Sequence, residues 1–309
     1  MLAYILRRLV SVAMVVFVVT TATFFLMHAI PGGPFTREKA LAPQIKRNIE
    51  ARYRLNDPLW KQYVDYMRNL IRWDLGPSYK HQGRTVNDII NEGFPVSAKL
   101  GALAIVFSLA VGVPAGIIAA IKQNRWQDNV VMAAAIIGVS VPSFVLATLL
   151  MYVFAVKLRW LPAALWGTPK HAIMPMLALS GFPTAFFARL TRSSTLEVLS
   201  QDYIRTARAK GLAWFVVIYR HVVKNAILPV VTYLGPLIAN VLTGSFVVES
   251  IFAIPGLGRY YVTSIYNRDY TTILGVTVFY SILLVGLNFL VDIAYGYVDP
   301  RIKLVRVRE

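Results

Sequence analysis

The chain has 309 residues, of which 57% are hydrophobic and only 15% charged, whereas soluble domains carry about 25% charged residues. Its Lys and Arg outnumber Asp and Glu by 32 to 15, a formal charge of +17, and cysteine is absent. This composition argues against a soluble globular domain and excludes a disulfide framework, a thiolate nucleophile and a cysteine zinc site.

Six runs contain no Asp, Glu, Lys or Arg: 9–30, 100–121, 129–156, 172–188, 225–248 and 270–291. A helix needs roughly 20 apolar residues to cross about 30 Å of hydrocarbon. Each run therefore predicts a transmembrane helix, whose backbone hydrogen bonds close within the segment. The fold class is an all-α membrane protein with six transmembrane helices and a small external helical subdomain.

Residues 1–30 form the N-terminal segment and first span. "MLAYILRRLVSVAMVVFVV" places two arginines before an apolar run too long for a signal core, with no small-residue cleavage site after it. It reads as an uncleaved signal anchor.

Residues 31–95 form the external helical subdomain. Ile45, Ile49 and Tyr53 share one helical face. In "NDPLWKQYVDYMRNLI", Asp57 is the expected helix cap and Pro58 the first helical residue, with Leu59, Tyr63, Met67 and Leu70 on one face. "TVNDIINEG" pairs a capping Thr85 with Asp88 and is expected to stop at Gly93. Two roles fit this subdomain: a lid over the span ends, or a docking surface for an external partner.

Residues 96–309 form the transmembrane core. Pro114, Pro142, Pro175, Pro183 and Pro236 are expected to kink spans, and Gly112, Gly116 and Gly138 to permit close helix approach. Ser140, Ser143, Asn240, Thr243 and Ser245 either bond neighbouring helices or line a polar pathway. Glu249, at the outer end of the fifth span, is either a structural hydrogen-bonding group or part of an outer gate or receptor contact. The turn residues Pro255, Gly256 and Gly258 are grouped with it. Asp292 reads as an interfacial residue.

The fourth and fifth spans are separated by a basic loop at about 191–226, containing "DYIRTARAKGLAWFVVIYRHVVKNAILP". Ser200 is the expected cap of a helix with Asp202 in its first turn and Gly211 as its stop. A second amphipathic run covers 214–224 and ends before Pro229. Ala207 and Ala209 are small enough for another surface to approach, while Arg205, Arg208 and Lys210 supply charge. The bland alternative is a basic loop lying on anionic lipid.

Basic residues fix the orientation. Fifteen lie in the segments on the N-terminal side and five in the short loops opposite, so both termini and the 191–226 loop are expected in the cytoplasm. The positive charge is then accounted for by topology and lipid contact rather than nucleic acid. The four histidines show no metal-ligand spacing, and no Gly-Lys dipeptide exists to make a P-loop. Catalysis and ATP binding by this chain are not expected.

"RTARAKG" resembles the EAA–x3–G loop of bacterial ABC-importer permeases, the match falling on Arg205, Thr206, Ala207 and Gly211. Arg stands for the family's Glu, Thr for its first Ala, and Lys224 for a later proline, a variant that resembles the peptide and nickel branch. "FFLMHAIPGGPFTREKALAP", "YRLNDPLWKQY", "DLGPSYKHQGRTVNDII", "GFPVSAKLGA", "LTGSFVVESIFAIPGLG", "NRDYTTILGV" and "YVDPRIKL" resemble the B-type permease of oligopeptide importers. The "PGGPF" form is closer to oligopeptide than to dipeptide or nickel permeases. The resemblance implies the type I importer architecture in the bacterial inner membrane, and alternating access for oligopeptides. It implies a second homologous permease, two P-loop ATPases holding ATP and Mg, and an extracytoplasmic peptide-binding protein, with no cofactor in this chain. It assigns ATPase coupling to Asp202, Arg205, Thr206, Ala207, Arg208, Lys210, Gly211 and Leu212. Dipeptide, nickel or glutathione transport, and a stand-alone channel or carrier, are the rival readings; a membrane-embedded enzyme would need paired ionisable residues within the spans.

Overall fold

A computed structural model describes residues 2–30 and 56–298. The expectations for Ile45, Ile49, Tyr53 and the Asp292 side chain lie outside what is described. Among the described residues the regular secondary structure is helical, apart from one isolated antiparallel bridge between Pro77 and Thr85. Five helices are long and apolar enough to cross a membrane: α1 (Leu2–Ala29), α3 (Val86–Ile121), α6 (Pro169–Leu199), α9 (Leu228–Ile251) and α11 (Tyr270–Val298).

The remaining expected span is broken. α4 (Trp126–Ser140) and α5 (Ser143–Leu150), the latter extended by a π-helical stretch over Met151–Lys157, meet at 105°. Pro142 lacks an N–H for the helical ladder, and its ring drives Val141 out of the helical region to φ −87°, ψ 118°. By contrast, Pro175 and Pro183 lie inside α6 and Pro236 inside α9, which run on through them.

The chain divides into two compact units, Met1–Val96 with Pro255–Gly286, and Ser97–Ile254 with Leu287–Glu309. In the first, α2 (Leu59–Ile71) takes Pro58 as its cap residue, one position later than expected, and no side chain caps it. Asp57 instead pairs with Lys61 at 3.0 Å. α2 is fastened to α1 by aromatic rings: Tyr63 stacks on Phe25 and shares a 2.7 Å hydrogen bond with the Thr21 hydroxyl. Thr85 and Asp88 form the expected capping box, with the Asp88 amide 3.2 Å from the Thr85 hydroxyl and the Thr85 amide 2.9 Å from the carboxylate.

Gly93 does not stop α3. A Cβ there would lie 2.9 Å from the backbone of Leu257, so the glycine serves a close crossing between α3 and α10 (Leu257–Asn267). Asp269 is fully buried just ahead of α11. Its carboxylate accepts hydrogen bonds from the Thr272 amide and hydroxyl, capping α11, and from the Tyr79 amide and Ser78 hydroxyl of the preceding loop. One side chain thus holds a helix end and a distant segment together.

In the second unit α6 is the central rod. Gly112 and Gly116 of α3 meet it so closely that Cβ atoms would lie 2.7 Å from the Thr184 carbonyl oxygen and 2.5 Å from that of Ala188. Gly138 of α4 likewise meets Ala185 and Gly181. The expected close-approach glycines therefore all converge on one helix, the small-residue packing that membrane helices use where no hydrophobic force drives them together.

Candidate functional site

At the end of α6 the chain folds into a helical hairpin: α7 (Asp202–Ala209), then α8 (Trp214–Val216), continued by a π-helical stretch over Val217–Val223 and by Lys224–Ala226. An eight-residue helix is marginal alone, and tertiary packing supplies what local hydrogen bonds lack. Ile204, Ala207, Val217 and Val222 bury one cluster, against which Val198, Leu199 and Ile218 pack.

Ser200 does not cap α7. It ends α6, its hydroxyl donating to the Glu197 carbonyl at 2.7 Å, while extended Gln201 precedes α7. The other end matches the expected stop. Gly211 adopts φ +78°, its amide donates to Arg208 at 2.9 Å, and the Leu212 amide reaches Ala207 at 3.4 Å. Those two bonds make a Schellman turn, which satisfies carbonyls that the last helical turn leaves open.

The predicted coupling residues divide by burial. Asp202, Arg205, Thr206, Arg208, Lys210, Gly211 and Leu212 are exposed. Ala207 is only 7% exposed and points into the hairpin's own core, so it offers no surface to a partner; Ala209 is exposed. Arg208 lies over the Trp214 ring at 4.7 Å, bridging the turn by a cation–π contact. Beyond it Phe215 and Tyr219 stack in parallel and are largely exposed.

The five polar candidates for a pathway also separate. Ser140 and Ser143 flank the break at Val141–Pro142, Ser140 exposed and Ser143 half-buried. Ser245 is fully buried, donating to Glu249 at 2.6 Å, and so lines no surface of the chain. Thr243 turns back to the Ala239 carbonyl at 3.0 Å. Asn240 is exposed near the middle of the 24-residue α9. It shares an exposed stripe with Tyr233, Pro236, Gly244 and Val247, and Tyr233 packs on Phe186 of α6 at 4.6 Å. A carboxamide at that depth is costly against hydrocarbon and calls for water or polar neighbours.

Glu249 is fully buried with Ser245 as one partner, the structural arrangement of its two sequence readings. In the other unit Gly256 and Gly258 are buried at the start of α10 and Pro255 is exposed.

The sequence reading missed Asp128 and Arg192. They form a bidentate ion pair, Arg192 Nε to Oδ1 at 2.6 Å and Nη2 to Oδ2 at 2.7 Å, with Asp128 only 2% exposed. The available signal was opposite charges near the ends of runs predicted to share the cytoplasmic side.

The family model described as "Binding-protein-dependent transport system inner membrane component" matches residues 112–304, and the companion model for its N-terminal part matches residues 1–101. The chain is 51% identical over 304 residues to the Dipeptide transport system permease protein DppB of Bacillus subtilis, covering 98% of this chain and 99% of that one. It is 47% identical over 305 residues to the Oligopeptide transport system permease protein OppB of Salmonella typhimurium, covering 98% and 100%. Among solved structures, a chain of the inward-facing MetNI methionine ABC transporter aligns with a TM-score of 0.58 at 18% identity, over 68% of this chain and 96% of that one. At that identity the likeness speaks to the fold.

Proposed function

The chain belongs to the binding-protein-dependent transport system inner membrane components, and from that premise we propose that it moves peptides, driven through α7 by partner ATPases. It is a multi-pass, non-catalytic permease subunit of an ABC importer in the bacterial inner membrane. The observation that carries the coupling role is the hairpin at 202–226, whose buried cluster leaves the charged face of α7 outward. A loop with its own core can be pushed as a body, which a mobile loop cannot.

The topology we infer has six spans, the broken α4–α5 pair counting as one, with both termini and the hairpin cytoplasmic, in the type I importer arrangement. A second homologous permease completes the pathway, two P-loop ATPases hold ATP and Mg against the coupling loops, and an extracytoplasmic binding protein delivers peptide. Asp202, Arg205, Thr206, Arg208, Lys210 and Leu212 meet the ATPase, and Gly211 shapes the turn. Asn240, Thr243, Ser140 and Ser143 belong to the pathway wall. Pro255, Gly256 and Gly258 shape the outer gate or receptor contact, while Glu249 braces the end of α9 through Ser245.

The relatives at comparable identity are named for both dipeptides and oligopeptides, and the "PGGPF" segment favours the longer substrates. A pathway walled by Asn240, Tyr233 and small residues presents hydrogen bonding and bulk rather than a charge filter, which suits peptides of varied sequence. The test is gentle purification of the tagged chain from native membranes, with identification of what accompanies it, followed by ATP-dependent uptake of labelled di- and oligopeptides in liposomes. A second permease, two ATPases and oligopeptide-preferring uptake are expected. A chain that purifies alone and transports without ATP would overturn the proposal.

A further inference from the structure

α6 has 31 residues, a length of about 46 Å at 1.5 Å per residue, well beyond the roughly 30 Å of hydrocarbon. Its uncharged run ends at Ala188 and is followed by Arg189, Arg192 and Glu197, so the part read as projecting from the apolar layer is the end that leads directly into α7. Arg192 sits on this projecting part. Its guanidinium grips Asp128, the third residue of α4, through the two parallel bonds described above. The Asp128 carboxylate also accepts the Asn124 amide at 2.9 Å, where the α3–α4 turn passes through a left-handed residue at φ +61°. Three segments therefore meet on one buried carboxylate: the turn, α4 and α6.

Packing on either side of the pair reinforces the connection. A Cβ at Gly116 would lie 2.8 Å from Thr191 Cβ and 3.0 Å from the Arg192 amide nitrogen, so α3 touches α6 at the level of the pair. Further along, Gly138 seats α4 against Gly181 and Ala185 of α6. At the cytoplasmic end Val198 and Leu199 of α6 pack on the hairpin cluster. α4 ends at Ser140, where the chain breaks by 105°.

We propose that Asp128 and Arg192 are positioning residues that make α4 travel with α6 and the coupling hairpin, so that displacement of α7 reaches the break at Val141–Pro142. An unlatched α4 could stay behind while α6 moved, and nucleotide-driven motion would not alter the wall at Ser140 and Ser143. The fork geometry suits this duty, because two parallel bonds resist rotation as well as separation. The proposal rests on the reading that α7 engages the ATPases.

This chain has no cysteine, so labels can be placed on it at chosen positions and attached before it is assembled with its partners. Spin labels at Trp126→Cys and Ala209→Cys, both exposed positions, are placed in the assembled importer with its partner subunits. The distance between them is measured without nucleotide and with ATP trapped. A distance unchanged between the two states is expected, and a change of more than about 5 Å, roughly one helical turn, would overturn the proposal. The double variant Asp128→Asn with Arg192→Gln removes both charges without stranding either. Peptide moved per ATP hydrolysed should fall at least about tenfold, with hydrolysis held within about twofold; an unchanged ratio would equally overturn the proposal. Should the double variant fail to assemble, a changed label distance in the otherwise native chain still overturns the proposal, and the single variant Arg192→Lys, which keeps the charge but not the fork, takes the place of the double variant in the uptake-per-ATP measurement. If the Ala209→Cys label does not sense the ATPases at all, the coupling reading fails instead, and the two failures are told apart.

Discussion

The turn at Gly211 offers the sharpest test of how the hairpin works, because its geometry separates two reasons for a glycine. The residue sits at φ +78°, yet a Cβ built on it meets nothing within 4 Å. Within this chain the constraint is thus the backbone angle and not space. An L-residue held in the left-handed region costs roughly 1–2 kcal/mol, and at about 1.4 kcal/mol per tenfold the capped hairpin should lose population by about fivefold to thirtyfold. Asn tolerates this region better than Ala, and β-branched Val worst of all. The series Gly211→Asn, Gly211→Ala and Gly211→Val should therefore reduce ATP-dependent peptide uptake and ATPase co-purification in that order. The amount of chain in the membrane should be unchanged, since the hairpin lies outside the spans. If activity follows side-chain size instead, with Ala milder than Asn, the glycine is there because a partner surface approaches it, and the backbone argument is refuted. Full uptake by the Val variant would refute any role for the turn.

Other sites give equally direct expectations. Gly116→Val places methyl groups against the α6 backbone, where even a Cβ would lie 2.5 Å from the Ala188 oxygen; overpacking of about 1–3 kcal/mol or more should lower the melting temperature in detergent, while Gly286→Ala, with open space around it, should not. Asp269→Ala removes the cap of α11 and the acceptor of the Tyr79 amide and Ser78 hydroxyl, a combined loss of about 2–4 kcal/mol that should appear as faster proteolysis of the 72–85 segment. Asn240→Leu should lower uptake with assembly and ATP hydrolysis retained; unchanged uptake would remove Asn240 from the pathway wall.

Much of this was legible in local sequence, and the failures share a cause. The Thr85–Asp88 box and the Gly211 turn depend on residues within a few positions of each other, and both take the form their spacing predicts. Uncharged runs located the spans, but α6 continues past its run to Leu199 because Arg189, Arg192 and Glu197 extend the helix beyond the apolar layer. The 129–156 run reads as one span with a kink at Pro142; its length, more than one crossing requires, is the unused sign of the 105° break. Gly93 was misread as a stop because its reason is non-local, the backbone of Leu257 against α3. Asp269 with Ser78 left no local trace for the same reason, and Asp128 with Arg192 left only opposite charges at the ends of two runs: each pair joins segments far apart in sequence.

The burial pattern of the hairpin separates what it must be from what it must recognise. Ile204, Val217 and Val222 are almost fully enclosed; at about 1.5–3 kcal/mol for each buried aliphatic side chain their burial contributes several kcal/mol, far above thermal energy. α7 should therefore yield to a push by moving and not by melting. Ala207 shares that interior duty, so its small size answers to packing against its own hairpin and not to a partner. On the proposed coupling role, recognition would fall to the residues left outside, Asp202, Arg205, Thr206, Arg208 and Lys210. An Arg in place of the family's usual Glu at position 205 is then a change on the recognition face alone. If α7 docks an ATPase as proposed, a complementary change on that partner would match it without disturbing the hairpin's fold.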